Sequence, residues 1–254
     1  MASKQKQREA EIALHYAIRN GRVDEVRRLL ADGVDPNAFD EKPYNFQFAF
    51  TALCTAVSVA ADANSPTHKQ LIEAINEMQP DKPQRDVEAD RAKAMEMLRL
   101  LLAAGADPSR PTRTRTPLSL AVRLGDHEIV GILLEAGADP AGPSWSPLSE
   151  LPRPKGGLAF FANAIHEAAS GYFDILRLLC DRGAAIEIRN HEGRTPLHIA
   201  VSYGQKEIVR FLCDRGADIT AQNREGQNAV QIASSRGYLE IAEILQQYQK
   251  TLAK

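Results

Sequence analysis

An all-α solenoid is the fold class this sequence predicts: about six stacked helix-pair repeats, joined by hairpin fingers and interrupted by two insertions. Three observations predict it. Glycines recur in pairs twelve residues apart, at Gly21 and Gly33, Gly125 and Gly137, Gly171 and Gly183, and Gly204 and Gly216. Gly183 and Gly216 stand 33 residues apart, and a fixed period of roughly 20–50 residues is the mark of a repeat architecture. Between paired glycines runs an apolar stripe at helical spacing, Ile129, Val130 and Leu133 in one copy and Ile208, Val209 and Leu212 in another. One helix pair cannot bury such a stripe alone, so neighbours must stack to form a core.

Taken in order, the repeats fall at about 9–40, 46–110, 111–142, 145–190, 191–223 and 224–254, with residues 1–8 as a flexible N-terminus. The first reads LHYAIRNGRVDEVRRLLADGVDPN over 14–37 and lacks a Thr-Pro start. Thr116 and Thr195 are placed as N-caps, with Pro117 and Pro196 following at the first helical position, where a missing N–H costs nothing. Thr51, Asn163 and Asn228 can cap in the same way without a proline. The last repeat ends in the polar stretch QQYQK, suited to a terminal face.

Two repeats break the period. Thr51 to Gly105 spans 54 residues, against 21 from Thr195 to Gly216. Residues 61–92 are read as an insertion, with a short helix around Pro66–Gln79 carrying Leu71, Ile72, Ile75 and Met78, followed by a charged loop; a degenerate seventh repeat is the other reading. The second insertion, 141–161, has four prolines and three glycines, which preclude a regular helix. The helix after it is one residue short, since Ala168 precedes Gly171 by three where Ala200 precedes Gly204 by four.

TPLHIAVSYG and GAD at 195–218, echoed by TPLSLAVRLG and GAD at 116–139, resemble the ankyrin-repeat family, and the resemblance covers nearly the whole chain. It implies a concave face, built from the fingers and the exposed side of each first helix, on which a protein partner binds. It also implies that His15, His166 and His198 are structural and tie adjacent turns together. Cys54 and Gln231 occupy the same slot, so no ligand set spans the repeats.

Composition narrows the function classes. A net charge of −2 offers no general attraction to nucleic acid or to an anionic membrane. Arg110, Arg113 and Arg115 make only a local basic cluster. No apolar run approaches the roughly 18 residues of a membrane span, and no apolar h-region follows the N-terminal charges, so a cytoplasmic location is expected, the cell's own or a host's. Cys54, Cys180 and Cys213 form no metal or redox motif and are read as small buried hydrophobes. Glu187 and Glu192 are read as solvated surface. Phosphate-loop, GxSxG and HExxH signatures are absent. Asp62, His68 and Glu73 assemble no nucleophile–base set.

The expectation is therefore a monomeric, non-catalytic adaptor with no cofactor or metal that binds a protein partner. An inhibitor or immunity-type protein that occludes one target is the first alternative. An enzyme or a nucleic-acid binder using an insertion is the second.

The resemblance maps exposed positions of the first helices onto Arg19, Asn20, Ser58, Val59, Arg123, Leu124, Ser202 and Tyr203. It maps finger tips onto Arg113, Arg115, His191, Glu192, Arg224 and Glu225. In the finger EKPYNFQFAF, Tyr44, Phe46, Phe48 and Phe50 alternate, so in an extended strand they share one side. They are four of the chain's fifteen aromatics. Such a cluster reads either as an interface hot spot or as local packing against the insertion. Trp145, the sole tryptophan, either anchors the proline-rich loop or contacts the partner. The candidate contact set is Tyr44, Phe46, Phe48, Arg113, Arg115, Arg123, Trp145, Tyr203 and Arg224.

Overall fold

A computed structural model of the chain describes residues 2–38, 51–78, 86–112, 115–141 and 163–252. The described residues form thirteen helices in two compact units, Met1–Ala138 and Asp139–Lys254. Most are seven or nine residues long, far below the roughly 12–15 at which an isolated helix becomes even marginally stable. Stacking therefore supplies their stability.

In the first unit, α1 (Ala2–Arg19) and α2 (Val23–Ala31) form the first pair, α3 (Ala52–Asn64) and α5 (Val87–Ala103) the second, and α6 (Pro117–Arg123) and α7 (His127–Glu135) the third. The first helices α1, α3 and α6 pack side by side, and α2 packs on α5 behind them. One further helix, α4 (Pro66–Met78), lies between α3 and α5 in the chain and touches both. It buries Ile72 alone, and leaves Leu71 and Met78 mostly exposed. Gln79 and the rest of 79–85 lie outside the described residues. At the N-terminus the structure departs from expectation: α1 runs from Ala2, so the segment read as a flexible tail is helical. Its sequence SKQKQREAE holds no glycine or proline and is rich in strong helix formers.

In the second unit the pairs are α8 (Ala164–Ala169) with α9 (Phe173–Asp181), α10 (Pro196–Ser202) with α11 (Lys206–Asp214), and α12 (Ala229–Ser235) with α13 (Leu239–Leu252). Here α10 is packed between α8 and α12, while α11 lies between α9 and α13.

Sequence position explains what each outer helix buries. Eight residues before the turn glycine stand Ile129, Ile175 and Ile208, all buried. The same place in α2 holds Glu25, which lies 3.2 Å from Arg22 and is only half-buried. The first pair therefore turns a polar side outward.

The caps vary with the residue available. Thr116 and Ser119 exchange bonds across the first turn of α6, each side chain accepting the other's backbone N–H at 3.1 Å. Thr51 accepts from the Cys54 N–H and Asn228 from the Gln231 N–H. Asn163 makes no side-chain cap bond, so that expectation fails at α8.

After four of the first helices, the residue following the turn glycine donates its N–H to a buried alanine carbonyl five residues back: Arg22 to Ala17, Asp126 to Ala121, Gln205 to Ala200 and Tyr238 to Ala233. In α8, the helix one residue short, Tyr172 reaches the equivalent Ala168 from four residues away at 2.8 Å.

Candidate functional site

A finger binds reproducibly only if its backbone is held, and in the second unit two fingers are held by the same device. In Asn190–Arg194 the Asn190 side-chain oxygen accepts from the Glu192 and Arg194 N–H groups, both at 2.9 Å. Asn223 does the same for Glu225 and Gln227, again at 2.9 Å. Asparagine suits this role because its short amide mimics a turn of backbone. Each finger closes on a left-handed glycine, Gly193 at φ 72° and Gly226 at φ 74°.

The two fingers also bind each other. The Arg224 N–H donates to the Glu192 carbonyl at 2.9 Å, and Arg189 Nη1 donates to the carbonyls of Gln222 and Gly193 at 2.6 and 3.0 Å. A Cβ on Gly193 would stand 3.1 Å from the Arg224 backbone nitrogen, so this close approach requires glycine as well.

At the finger bases a second link recurs. Glu187, exposed as its solvated-surface reading expects, also accepts from the Asp218 N–H through Oε1 at 2.9 Å. In the first unit Asn37 Oδ1 accepts from the Asp107 N–H at 2.8 Å, while its amide donates to the Gly105 carbonyl at 3.2 Å. Glu192, read in the same way as Glu187, lies 3.2 Å from Arg194 Nε.

The histidines join first helices to these fingers. His15 Nε2 lies 3.1 Å from the Ala38 carbonyl, His166 Nε2 2.9 Å from that of Arg194, and His198 Nε2 3.3 Å from that of Gln227. At His198 the Thr195 N–H donates to Nδ1 at 3.1 Å, which makes Nδ1 the acceptor and puts the proton on Nε2. His166 has no such donor, and its Nδ1 is buried without a partner among the described residues. Burial holds His166 down to about 4, against the bonds to Arg194 and Ile188, and depresses His198 as well.

The cysteine thiols are shielded rather than activated. Burial pushes Cys54 and Cys213 up to about 12 and raises Cys180, so all three are poor nucleophiles at neutral pH. No group of three or more metal-binding side chains comes together among the described residues. No helix among them is long and apolar enough to cross a membrane.

The candidate contact residues divide as follows. Tyr203 is 62% exposed at the end of α10, and Arg224 is exposed on its finger. Arg123 is exposed at the end of α6, beside Leu124. Arg115 is half-buried, its N–H bonded to the Thr112 hydroxyl at 3.1 Å and its carbonyl accepting from Thr112. Tyr44, Phe46, Phe48, Arg113 and Trp145 lie outside the described residues. Of the other mapped positions, Ser202 is buried because α10 is packed on both sides. The finger-to-finger bonds were missed by sequence reasoning. Their signal is the twice-used frame Asn-x-Glu-Gly at 190–193 and 223–226.

Comparison with known families agrees with this geometry. Residues 11–41 and 114–143 match the model for the ankyrin repeat. Residues 157–223 match the model for ankyrin repeats in three copies, and residues 203–246 that for ankyrin repeats in many copies. No curated protein matches the chain.

Proposed function

Because the chain belongs to the ankyrin-repeat family, whose repeats generally serve protein–protein interaction, we propose that it is a non-catalytic adaptor that grips a protein partner with its fingers and the exposed ends of its first helices. One observation carries the reading. In the second unit the groups suited to chemistry are spent on holding the fold, while an aromatic and a cation stay outward on a braced frame. The imidazoles of His166 and His198 bond finger carbonyls, Cys213 is buried, and Cys180, expected to be buried, is half-buried. Tyr203 and Arg224 remain exposed, and residues of these two types dominate binding energy at interfaces. Two fingers joined backbone to backbone lose little freedom on docking, which lowers the entropic cost of binding.

The contact set extends by proposal to Tyr44, Phe46 and Phe48 on the first finger, and to Arg113, Arg115, Arg123 and Trp145. The partner is a protein met by a monomer of this chain in the cytoplasm.

Three baits test the proposal in a cell-extract pull-down read by mass spectrometry: the native chain, Tyr203→Ser with Arg224→Ala, and Phe46→Ser with Phe48→Ser. Circular dichroism first establishes that all three are folded. The expected outcome is a partner retained by the native chain and weakened at least about tenfold by one of the variants, about 1.4 kcal/mol or more. If no bait retains anything above background, the adaptor reading fails.

A further inference from the structure

The second repeat departs from its own period, and the departure opens a cleft. Where α1, α6, α10 and α12 give way to a turn glycine, α3 has Ala60 and continues to Asn64, about one helical turn further. Its outer partner α5 has seventeen residues where α2, α7, α9 and α11 have nine. These overhangs, with α4 and the turn after α1, enclose about 380 Å³. That lies at the small end of ligand pockets and suits one side chain better than a cofactor.

The lining is amphipathic. Val59 supplies apolar surface, while Asp62, His68, Asp90 and Lys93 supply polar groups. Lys93 lies 3.7 Å from Asp90. Arg19 also lines the cleft, so two cations and two carboxylates leave no formal net charge to repel a ligand of either sign. Asp62 is the carboxylate with capacity left. Burial raises its pKa, the attraction of His68 and a bond to Ser58 pull it back, and no lysine or arginine is paired with it among the described residues. His68 Nε2 lies buried without a hydrogen-bond partner among them, a condition that native structures rarely tolerate without reason.

We infer that this cleft receives an arginine side chain from the protein partner, the guanidinium pairing with Asp62 and the aliphatic stem lying along Val59. The inference rests on the protein-binding reading above but concerns a different surface, beside the turns rather than on the fingers. Arginine fits better than lysine for two reasons. Its planar fork gives a carboxylate two parallel N–H bonds, and its weakly hydrated charge enters a half-dry cleft at lower cost. A third N–H can go to His68 Nε2 when that nitrogen carries no proton.

The test needs no partner. The full chain, labelled with ¹⁵N, is titrated with Nα-acetyl-arginine N-methylamide and followed by amide shifts. The citrulline, lysine and glutamate counterparts are run alongside. The expected result is shifts concentrated at Asn20, Asp62, Ala63 and Lys93, with millimolar affinity, weakened about tenfold or more for citrulline and by Asp62→Asn. Lys93→Glu, which adds a carboxylate, tightens the arginine probe several-fold and supplies the answer if Asp62→Asn does not fold. Shifts scattered over exposed carboxylates, an equal response to citrulline, a preference for glutamate, or indifference to both variants overturns the inference. Such a failure leaves the adaptor reading standing, and an empty pull-down leaves this titration interpretable.

Discussion

The helix pair α10–α11 and the helix pair α3–α5 are two solutions to the same packing problem. In the first, α10 and α11 are joined at Gly204, and α10 begins at Thr195, whose backbone N–H donates to His198. Its polar groups are committed to the neighbouring turn and finger. In the second, glycine is absent at the corresponding place, both helices overrun, and the closure passes to a side chain. Arg91 of α5 donates to the Ala60 carbonyl at 2.7 Å and to Asp126 Oδ1 at 3.1 Å, with Glu128 at 3.0 Å. A regular repeat is closed by its backbone; the longer pair α3 and α5, though extensively packed, depends on an arginine for this polar closure.

That dependence sets the largest expected effect. Arg91→Met removes the cation from Asp126, whose side chain is only 4% exposed and also caps α7 through the Ile129 N–H. Leaving such a charge buried and unpaired costs about 3–5 kcal/mol, to be read from urea unfolding. Adding Asp126→Asn should return much of the loss, because the amide still caps and carries no charge. If Arg91→Met alone costs under about 1 kcal/mol, the closure lies elsewhere.

The link from α8 into the regular pair, His166 to the Arg194 carbonyl, is sharpened by pH. His166 titrates at about 4 when folded, against about 6.5 when unfolded. Between those values the unfolded chain binds the extra proton, so this contribution is fully present above about pH 6.5 and lost as pH falls towards 4. The loss is on the order of 3 kcal/mol, and His198, depressed in the same direction, adds to it. The measurement is unfolding free energy at a series of pH values for the native chain and His166→Gln. The variant should show a shallower decline, and equal slopes would remove His166 from the account.

The smallest effect separates conformation from contact. Gly193→Ala and Gly226→Ala each force alanine into a left-handed position, at about 1–2 kcal/mol. At Gly226 a Cβ meets nothing within 4 Å, whereas at Gly193 it meets the Arg224 backbone. Thermal unfolding should therefore show Gly193→Ala as the more damaging of the two, and equal losses would mean that the fingers part without penalty.

The comparison also explains what was legible beforehand. Helix starts and stops were readable because their causes are local: Thr116 lies next to its helix, and the glycines sit where the chain must turn left-handed. Asn163 misled because an N-cap residue type does not guarantee a cap bond. Links between repeats were harder to see. Glu187 and Asp218 are 31 residues apart, but the equivalent Asn37 and Asp107 are 70 apart because α4 and the longer α3 and α5 intervene. Arg91 was invisible for a related reason, since its partners lie 31 to 37 residues away and outside any motif. At the candidate site, exposure at Tyr203 and Arg224 followed from repeat register, whereas the burial of Ser202 depended on packing from both sides.

The turn after α8 bears on how such a chain changes over generations. One residue is missing there, yet the amide of Tyr172 finds the carbonyl of Ala168 as its counterparts find theirs, with Gly171 rotated to φ 159° where the other first-helix turns sit near 70°. The deletion is absorbed within two residues, and Ala168, Ile175 and Leu176 remain fully buried. A helix one residue shorter at this joint leaves the interior untouched, so a turn between paired helices is where such a chain tolerates a change of length.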